Sequence, residues 1–237
     1  MWSGPRNLST AMMRSFENRP DCAVWDEPFF APFLVATGGD NPMREETLSA
    51  HETNPNVVAK QCLEAPSSGE PIYFQKHMPN HVVDGFPRDW MRECRHFLLL
   101  RDPAAVIASY ARGRAKFTIQ DIGFLEQVDL YDEICAWAEK PPAIVLSNDI
   151  LSEPEAYLRA ICKSVDIPFD KAMLNWPAGL RDSDGVWAPH WYKSVMSSTG
   201  FGPPRTENFI VPEAYQDMLE RCRPAYERLH NLKLTVN

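Results

Sequence analysis

The feature that most constrains this chain is a set of short, uninterrupted apolar runs separated by segments of helical period. Cys22-Ala23-Val24-Trp25, Pro71-Ile72-Tyr73-Phe74, His96-Phe97-Leu98-Leu99-Leu100 and Ala143-Ile144-Val145-Leu146 are apolar throughout rather than alternating. Strands covered on both faces read this way, and such strands belong to parallel sheets. Between them, Leu130, Ile134 and Trp137 recur at i, i+4, i+7. Leu158, Ile161, Cys162 and Val165 recur at i, i+3, i+4, i+7, behind a capping-box pair, Ser152 and Glu155. Tyr215, Met218, Leu219, Cys222, Tyr226 and Leu229 keep the period near the C-terminus, with a kink expected at Pro224. Strands alternating with helices predict an α/β fold, a three-layer sandwich around a central parallel sheet with right-handed crossovers. No repeat, low-complexity stretch or linker interrupts residues 1–237, which read as a single domain. The polar stretch 36–68 reads as an excursion, a lid with one helix around Val57 to Leu63. The strand before the Gly4-Pro5 turn is represented only by Met1 and Trp2.

Charge narrows the partners. Lys and Arg number 24 against 32 Asp and Glu, a net charge of −8. An acidic chain is a poor match for a nucleic acid, whose phosphates call for a basic face. A small anion needs only a few local positive groups. No apolar run approaches the roughly 20 residues of a membrane span, and the N-terminus shows no secretory signal. The six cysteines stand no closer than 27 residues apart, without a Cys-x-x-Cys pair. Reduced thiols in a cytoplasmic protein are the expectation.

Two segments carry anion chemistry. Ser3-Gly4-Pro5-Arg6-Asn7-Leu8-Ser9-Thr10 is a tight turn leading into Met12, Met13 and Phe16 at helical spacing. A helix start exposes N–H groups at the positive end of the macrodipole; Ser9 and Thr10 add hydroxyls and Arg6 a charge. An ordinary helix start capped by Ser9 is the other reading. It is not a Walker A loop, for the Gly-Lys-Ser/Thr ending is missing. The second segment, His96 through Arg101-Asp102-Pro103 to Ser109 and Tyr110, runs from a strand into a helix. Asp102 suits the N-cap and Pro103 the first helical position. Arg101 then stands at a strand's C-terminal end, where open α/β sheets bind ligands. Ser109 follows eight residues later, about two turns into the helix. Without a ligand, Arg101 would cap the sheet edge and Ser109 pack in the helix.

Together these segments resemble the sulfotransferase family, whose fold is like that of P-loop nucleoside triphosphate hydrolases. Pro5 to Thr10 is similar to its 5′-phosphosulfate loop, and Arg101 to Ser109 to its 3′-phosphate motif. Arg6 stands where the family more often has Lys, Leu8 where Gly is common, and Ala11 where many members carry an adenine-stacking Trp. The resemblance implies a donor, 3′-phosphoadenosine-5′-phosphosulfate, held by Arg6, Asn7, Leu8, Ser9, Thr10, Arg101 and Ser109. It also implies sulfuryl transfer to a hydroxyl or amine of a small-molecule or carbohydrate acceptor, without metal. The late Arg-Lys-Gly loop of the family is not recognisable; Ser198, Thr199 and Gly200 are the substitute candidates to close over the donor.

Transfer needs a base for the acceptor proton and a cation for the leaving oxygen. Arg6 is the first candidate cation and Lys76 the second. Glu27, in Trp25-Asp26-Glu27-Pro28, matches the base of carbohydrate-type members. His77, in Gln75-Lys76-His77-Met78-Pro79, resembles the Lys-x-His-x-Pro of cytosolic members with one residue deleted. The choice between them stays open, beside the structural readings of a strand-end ion pair and a packed histidine. His77 and His81 stand four apart, but Pro79 between them argues against zinc ligation on a helix. Trp187, Trp191, Tyr192 and Phe201 would line a ligand or pack the core. The alternatives in function are a non-catalytic nucleotide-binding protein and a kinase-like phosphoryl transferase. Against the latter stand the missing Walker lysine and the lack of a metal-binding Asp after an apolar strand.

Overall fold

A computed structural model of the chain describes residues 1–114, 116–204 and 209–236. The order of elements is β1 (Trp2–Ser3), α1 (Ser9–Glu17), β2 (Cys22–Asp26), α2 (Phe30–Thr37), α3 (Arg44–Ala50), α4 (Pro55–Gln61) and β3 (Ile72–Lys76). There follow β4 (Phe97–Leu100), α5 (Pro103–Ala111), α6 (Ile119–Ile122), α7 (Phe124–Cys135), β5 (Ala143–Leu146), α8 (Ser147–Ser152) and α9 (Pro154–Ser164). The chain closes with α10 (Ala188–Trp191), α11 (Lys193–Met196) and α12 (Gln216–His230). Each of the four apolar runs overlaps a strand, β2 and β3 extending one and two residues further, and the strand pairs are parallel.

The chain divides into two compact units. The first comprises Met1, Thr10–Arg95 and Asp170–Phe201, and the second Trp2–Ser9, His96–Phe169 and Gly202–Asn237. In the second unit the strand order is β1-β4-β5, with Trp2 beside Leu98 and Phe97 to Leu100 beside Ala143 to Leu146. All four β4 residues are buried, as a central strand between helices requires. Ile107, Ile134, Leu158 and Leu229 complete that core from α5, α7, α9 and α12. The short β1 leaves part of the β4 ladder open. Its carbonyl at Leu99 is satisfied by side chains instead, from Asn7 Nδ2 and Gln127 Nε2, each at 2.7 Å.

In the first unit β2 and β3 pair so that Asp26 lies beside Lys76 at the strands' C-terminal ends. Met12, Met13 and Phe16 bury one face of α1, and Phe16 stacks on Phe74 at 4.1 Å between ring centroids. A second cluster joins Phe30 and Leu34 of α2 to Trp187, Ala188 and Tyr192.

Two local expectations change. The excursion carries two helices rather than one, α3 as well as α4, the latter capped by Asn54 with Pro55 in its first turn. The capping box before α9 does not form, because Ser152 is the last residue of α8 and its hydroxyl donates to the Asn148 carbonyl at 2.9 Å. Pro154 starts α9 behind Glu153, and Glu155 pairs with Arg159 instead. The C-terminal helical period is matched by α12, which runs from 216 to 230 with Pro224 inside it. Among the described residues no helix is long and apolar enough to cross a membrane.

Candidate active site

The second unit brings the two anion segments into one corner. Gly4 opens the first turn where a Cβ would lie 2.8 Å from the Ile122 carbonyl oxygen, so a side chain there has no room. The turn then passes through left-handed backbone at Arg6 (φ +58°) and Leu8 (φ +62°). Left-handed residues in a turn swing successive N–H groups to one side, the geometry of an anion nest. For non-glycine residues such backbone costs about 1–2 kcal/mol each, so Leu8 holds at a penalty what glycine would hold freely. The fastening is Asn7, buried between the two, whose amide donates to Leu99 and accepts from the Ser147 hydroxyl. The Asn7 side chain is thus a pin, and any part it takes in binding falls to its backbone.

Onto this turn comes Arg101. It follows β4 directly, and Asp102 caps α5 by accepting from the backbone N–H of Ala104 and Ala105. Arg101 Nη1 donates to the Arg6 carbonyl at 2.5 Å, and Arg6 Nε donates to Ser109 Oγ at 3.1 Å. Arg6 of the first segment therefore contacts both Arg101 and Ser109 of the second. Phe209 presents its ring 5.7 Å from the Arg101 guanidinium. Ser9 begins α1 in this unit, and Thr10 follows it in the chain as the start of the other.

The first unit holds a buried charge network. Lys76, 1% exposed, donates to Asp26 Oδ1, Glu27 Oε1 and Tyr192 Oη, each at 2.6 Å. An ammonium has three N–H donors, so these contacts use them all. Tyr192 in turn donates to Asp26 Oδ2 at 2.6 Å and accepts from Trp187 Nε1 at 3.0 Å. Gly185 N–H also reaches Asp26 Oδ2, at 3.1 Å. Burial opposes charge on Lys76, but Asp26 and Glu27 reverse that and hold its pKa well above the ordinary value. Burial likewise pushes the Tyr192 phenol up, with Asp26 adding to it.

Glu27 leaves the strand in left-handed backbone (φ +46°), its N–H bonded to the Lys76 carbonyl at 2.9 Å. Its carboxyl is pushed above the usual range by burial, against the pull of Lys76 and with help from Asp26. A raised carboxyl pKa suits a base working near neutrality. His81 lies beside it, Nδ1 3.7 Å from Glu27 Oε2.

His77 is placed differently. Its ring is buried, packed 5.0 Å from Trp90 and 6.0 Å from Phe29, with Nε2 3.1 Å from Gln75 Oε1. Those contacts are those of a packed histidine. Lys76 is committed to its three partners and has no N–H donor left for a leaving oxygen. Ser198, Thr199 and Gly200 are fastened within the first unit: Trp176 Nε1 donates to Ser198 Oγ, Trp176 N donates to the Thr199 carbonyl, and Gly200 bridges Asn175. Trp187 and Tyr192 are buried core residues and Phe201 packs on Trp176, so the packing reading accounts for these aromatics. From sequence, Trp187 and Tyr192 stood only as part of an aromatic segment that would line a ligand or pack the core, His81 only as a histidine four residues from His77, and Asp26 only as the neighbour of Glu27. Among the described residues no group of three or more His, Cys, Asp or Glu side chains is arranged to hold a metal ion.

A backbone turn, two arginines and a helix hydroxyl thus meet in one corner of the second unit, beside parallel strands flanked by helices. The chain belongs to the sulfotransferase family: the model described as "Sulfotransferase domain" matches residues 1–232. It shares the mixed α/β fold of two solved proteins. These are the sulfotransferase domain from the curacin biosynthetic pathway (TM-score 0.50, 12% identity, all of this chain and 91% of that one) and the sulfotransferase domain from the Synechococcus PCC 7002 olefin synthase (TM-score 0.50, 14% identity, 93% and 92%). Among curated proteins it resembles two from Arabidopsis thaliana. It is 39% identical to branched-chain-amino-acid aminotransferase-like protein 1 over 230 residues and 38% identical to protein 2 over 229. Those matches take in 97% and 96% of this chain but 41% and 40% of the relatives, so the chain spans about two fifths of their length.

Proposed function

We propose that the protein moves a sulfuryl group from 3′-phosphoadenosine-5′-phosphosulfate to a hydroxyl of a small-molecule or carbohydrate acceptor, by direct in-line transfer. The observation that carries this reading is the meeting of Arg101, Arg6 and Ser109 in one corner. Two guanidiniums, a hydroxyl and the nest backbone fit an anion such as the donor's phosphates. The donor, when bound, supplies the activated sulfuryl group; every other task falls to the chain. Arg6 bears charge that develops on the leaving side, and Arg101 with Ser109 holds the 3′-phosphate.

Glu27 is the base in this reading. Its Oε1 is held by Lys76, which leaves Oε2 to take the proton as the acceptor O–H breaks. Lys76 then serves to aim Glu27 rather than to meet the leaving oxygen. Titration with 3′,5′-adenosine bisphosphate by calorimetry, followed by turnover of labelled donor over sugars, phenols and alcohols, tests the proposal. Uptake with transfer is the expected result. Preference for ATP with magnesium would replace the reading by phosphoryl transfer, and uptake without transfer to any acceptor would replace it by a nucleotide binder.

A further inference from the structure

His81 is the group near Glu27 that the reaction above does not use. It ends the short turn Pro79–His81 after β3, and its ring stacks on Phe30 and Phe33 of α2 at 4.8 Å each, 17° and 26° from parallel. It is 5% exposed, and the two phenyl rings hold the plane of its ring. Nδ1 is buried without a hydrogen-bond partner. Glu27 Oε2 stands 3.7 Å from it, while Oε1 is tied to Lys76. A buried nitrogen without a hydrogen bond is normally costly. Here it faces the one carboxylate oxygen that the base would use, on a residue held in left-handed backbone, and such backbone collects at functional sites.

We infer that Glu27 and His81 are a one-proton pair, in which His81 Nδ1 accepts a hydrogen bond from Glu27 once Oε2 has taken the acceptor's proton. This rests on Glu27 being the base. Before transfer, the lone pairs of Oε2 and Nδ1 face each other and the 3.7 Å separation holds no hydrogen bond. As the acceptor O–H breaks, its electron pair goes to the oxygen that bonds sulfur and its proton goes to Oε2. The new O–H then points at Nδ1, and Oε2 closes on it from 3.7 Å by rotation of the Glu27 carboxyl, while Nε2 carries the ring's own hydrogen. The proton stays on Glu27 until it is returned to water.

The surroundings favour that division of labour. Burial first, and the charge of Lys76 second, push the His81 pKa down to about 3, so the imidazole accepts a hydrogen bond without becoming a cation. The charged and titratable groups facing the pair are Lys76 from β3, Asp26 from β2 and Tyr192 between α10 and α11. His51, after α3, also feels Asp26; Phe30 and Phe33 contribute no charge. His81 is thus a positioning residue that stabilises the protonated base.

The test compares His81→Phe, which keeps the aromatic stack, with His81→Asn, whose amide oxygen can stand in for Nδ1. Removing the acceptor should weaken Glu27 as a base. The acid limb of the kcat profile is expected to move down by about one pH unit, tenfold in proton affinity, in His81→Phe and to stay in place in His81→Asn. Uptake of 3′,5′-adenosine bisphosphate should be equal in all three proteins. An acid limb unmoved in His81→Phe, or moved equally in both variants, would overturn the pair. A second readout needs no turnover: the 15N shifts of His81 followed by NMR across the carboxylate and imidazole ranges. Nδ1 should stay unprotonated and shift in a step that vanishes in Glu27→Gln. A protonated Nδ1 throughout, or a step that persists in Glu27→Gln, would sink the pair even if no acceptor is ever found. Absence of turnover in the unaltered protein, with the NMR step present, would instead count against the transferase reading alone.

Discussion

The corner around Arg101 and the network around Lys76 are both built of charged side chains at the ends of parallel strands, yet they are opposite in design. In the corner, two residues of like charge share a neighbourhood with a hydroxyl and with backbone N–H groups. In the network, one ammonium is matched by two carboxylates and a phenol. An arrangement of the first kind is suited to an incoming anion. One of the second kind is already satisfied and gains by staying dry, since a lost partner would strand a buried charge. In the proposed function the corner takes the donor, and the network holds Glu27 in place.

The largest expected effect sits where that contrast is sharpest. Glu27→Gln should lower turnover by about 10²–10⁴-fold, the span of general base catalysis, with bisphosphate affinity unchanged; near-normal turnover would return the base to His77. Lys76→Met comes next. It leaves Asp26 and Glu27 buried without their counter-charge and should cost about 3–5 kcal/mol of unfolding free energy in urea. Full stability in that variant would erase the distinction between the regions.

Acid provides a third probe. The folded protein holds His81 neutral down to about 3, whereas the unfolded chain protonates it near the ordinary imidazole value of 6.5. The unfolded state therefore binds the extra proton, and stability falls as pH drops through that window. His81→Phe should lose less stability between pH 6.5 and about 3 than the unaltered chain, by a few kcal/mol. Parallel curves for the two would mean that His81 charges freely. The smallest effect belongs to the corner. Arg101→Ala should weaken bisphosphate binding by roughly 1.5–3 kcal/mol, while unfolding free energy changes by less than the Lys76→Met loss. Unchanged affinity would remove the corner from donor binding.

Legibility follows the same division. The corner could be read because its parts are consecutive: a turn before a helix, and an Arg, an N-capping Asp and a Pro before another, with Ser109 two turns on. Capping and helical period are local physics, and the structure repeats them at Asp102 and Pro103. The network could not be read, because Tyr192 reaches Lys76 across 116 residues and Gly185 reaches Asp26 across 159. Local rules also misjudged Ser152, whose hydroxyl found a carbonyl in its own helix sooner than the next helix start. At Leu8, the sequence showed an unusual residue, and only the backbone showed that its position is left-handed.

The parallel α/β pattern, the four longer strands and the two segments that lead into α1 and α5 are legible from the residues alone, because hydrophobic period, caps and turns act over a few residues. Folding alone decides which buried charges are matched and by what partners. Lys76, an apparent catalytic cation in the sequence, is neutralised by partners from distant segments. The free energy of a buried charge depends on every group that replaces its water, and those groups are gathered by folding, not by order along the chain.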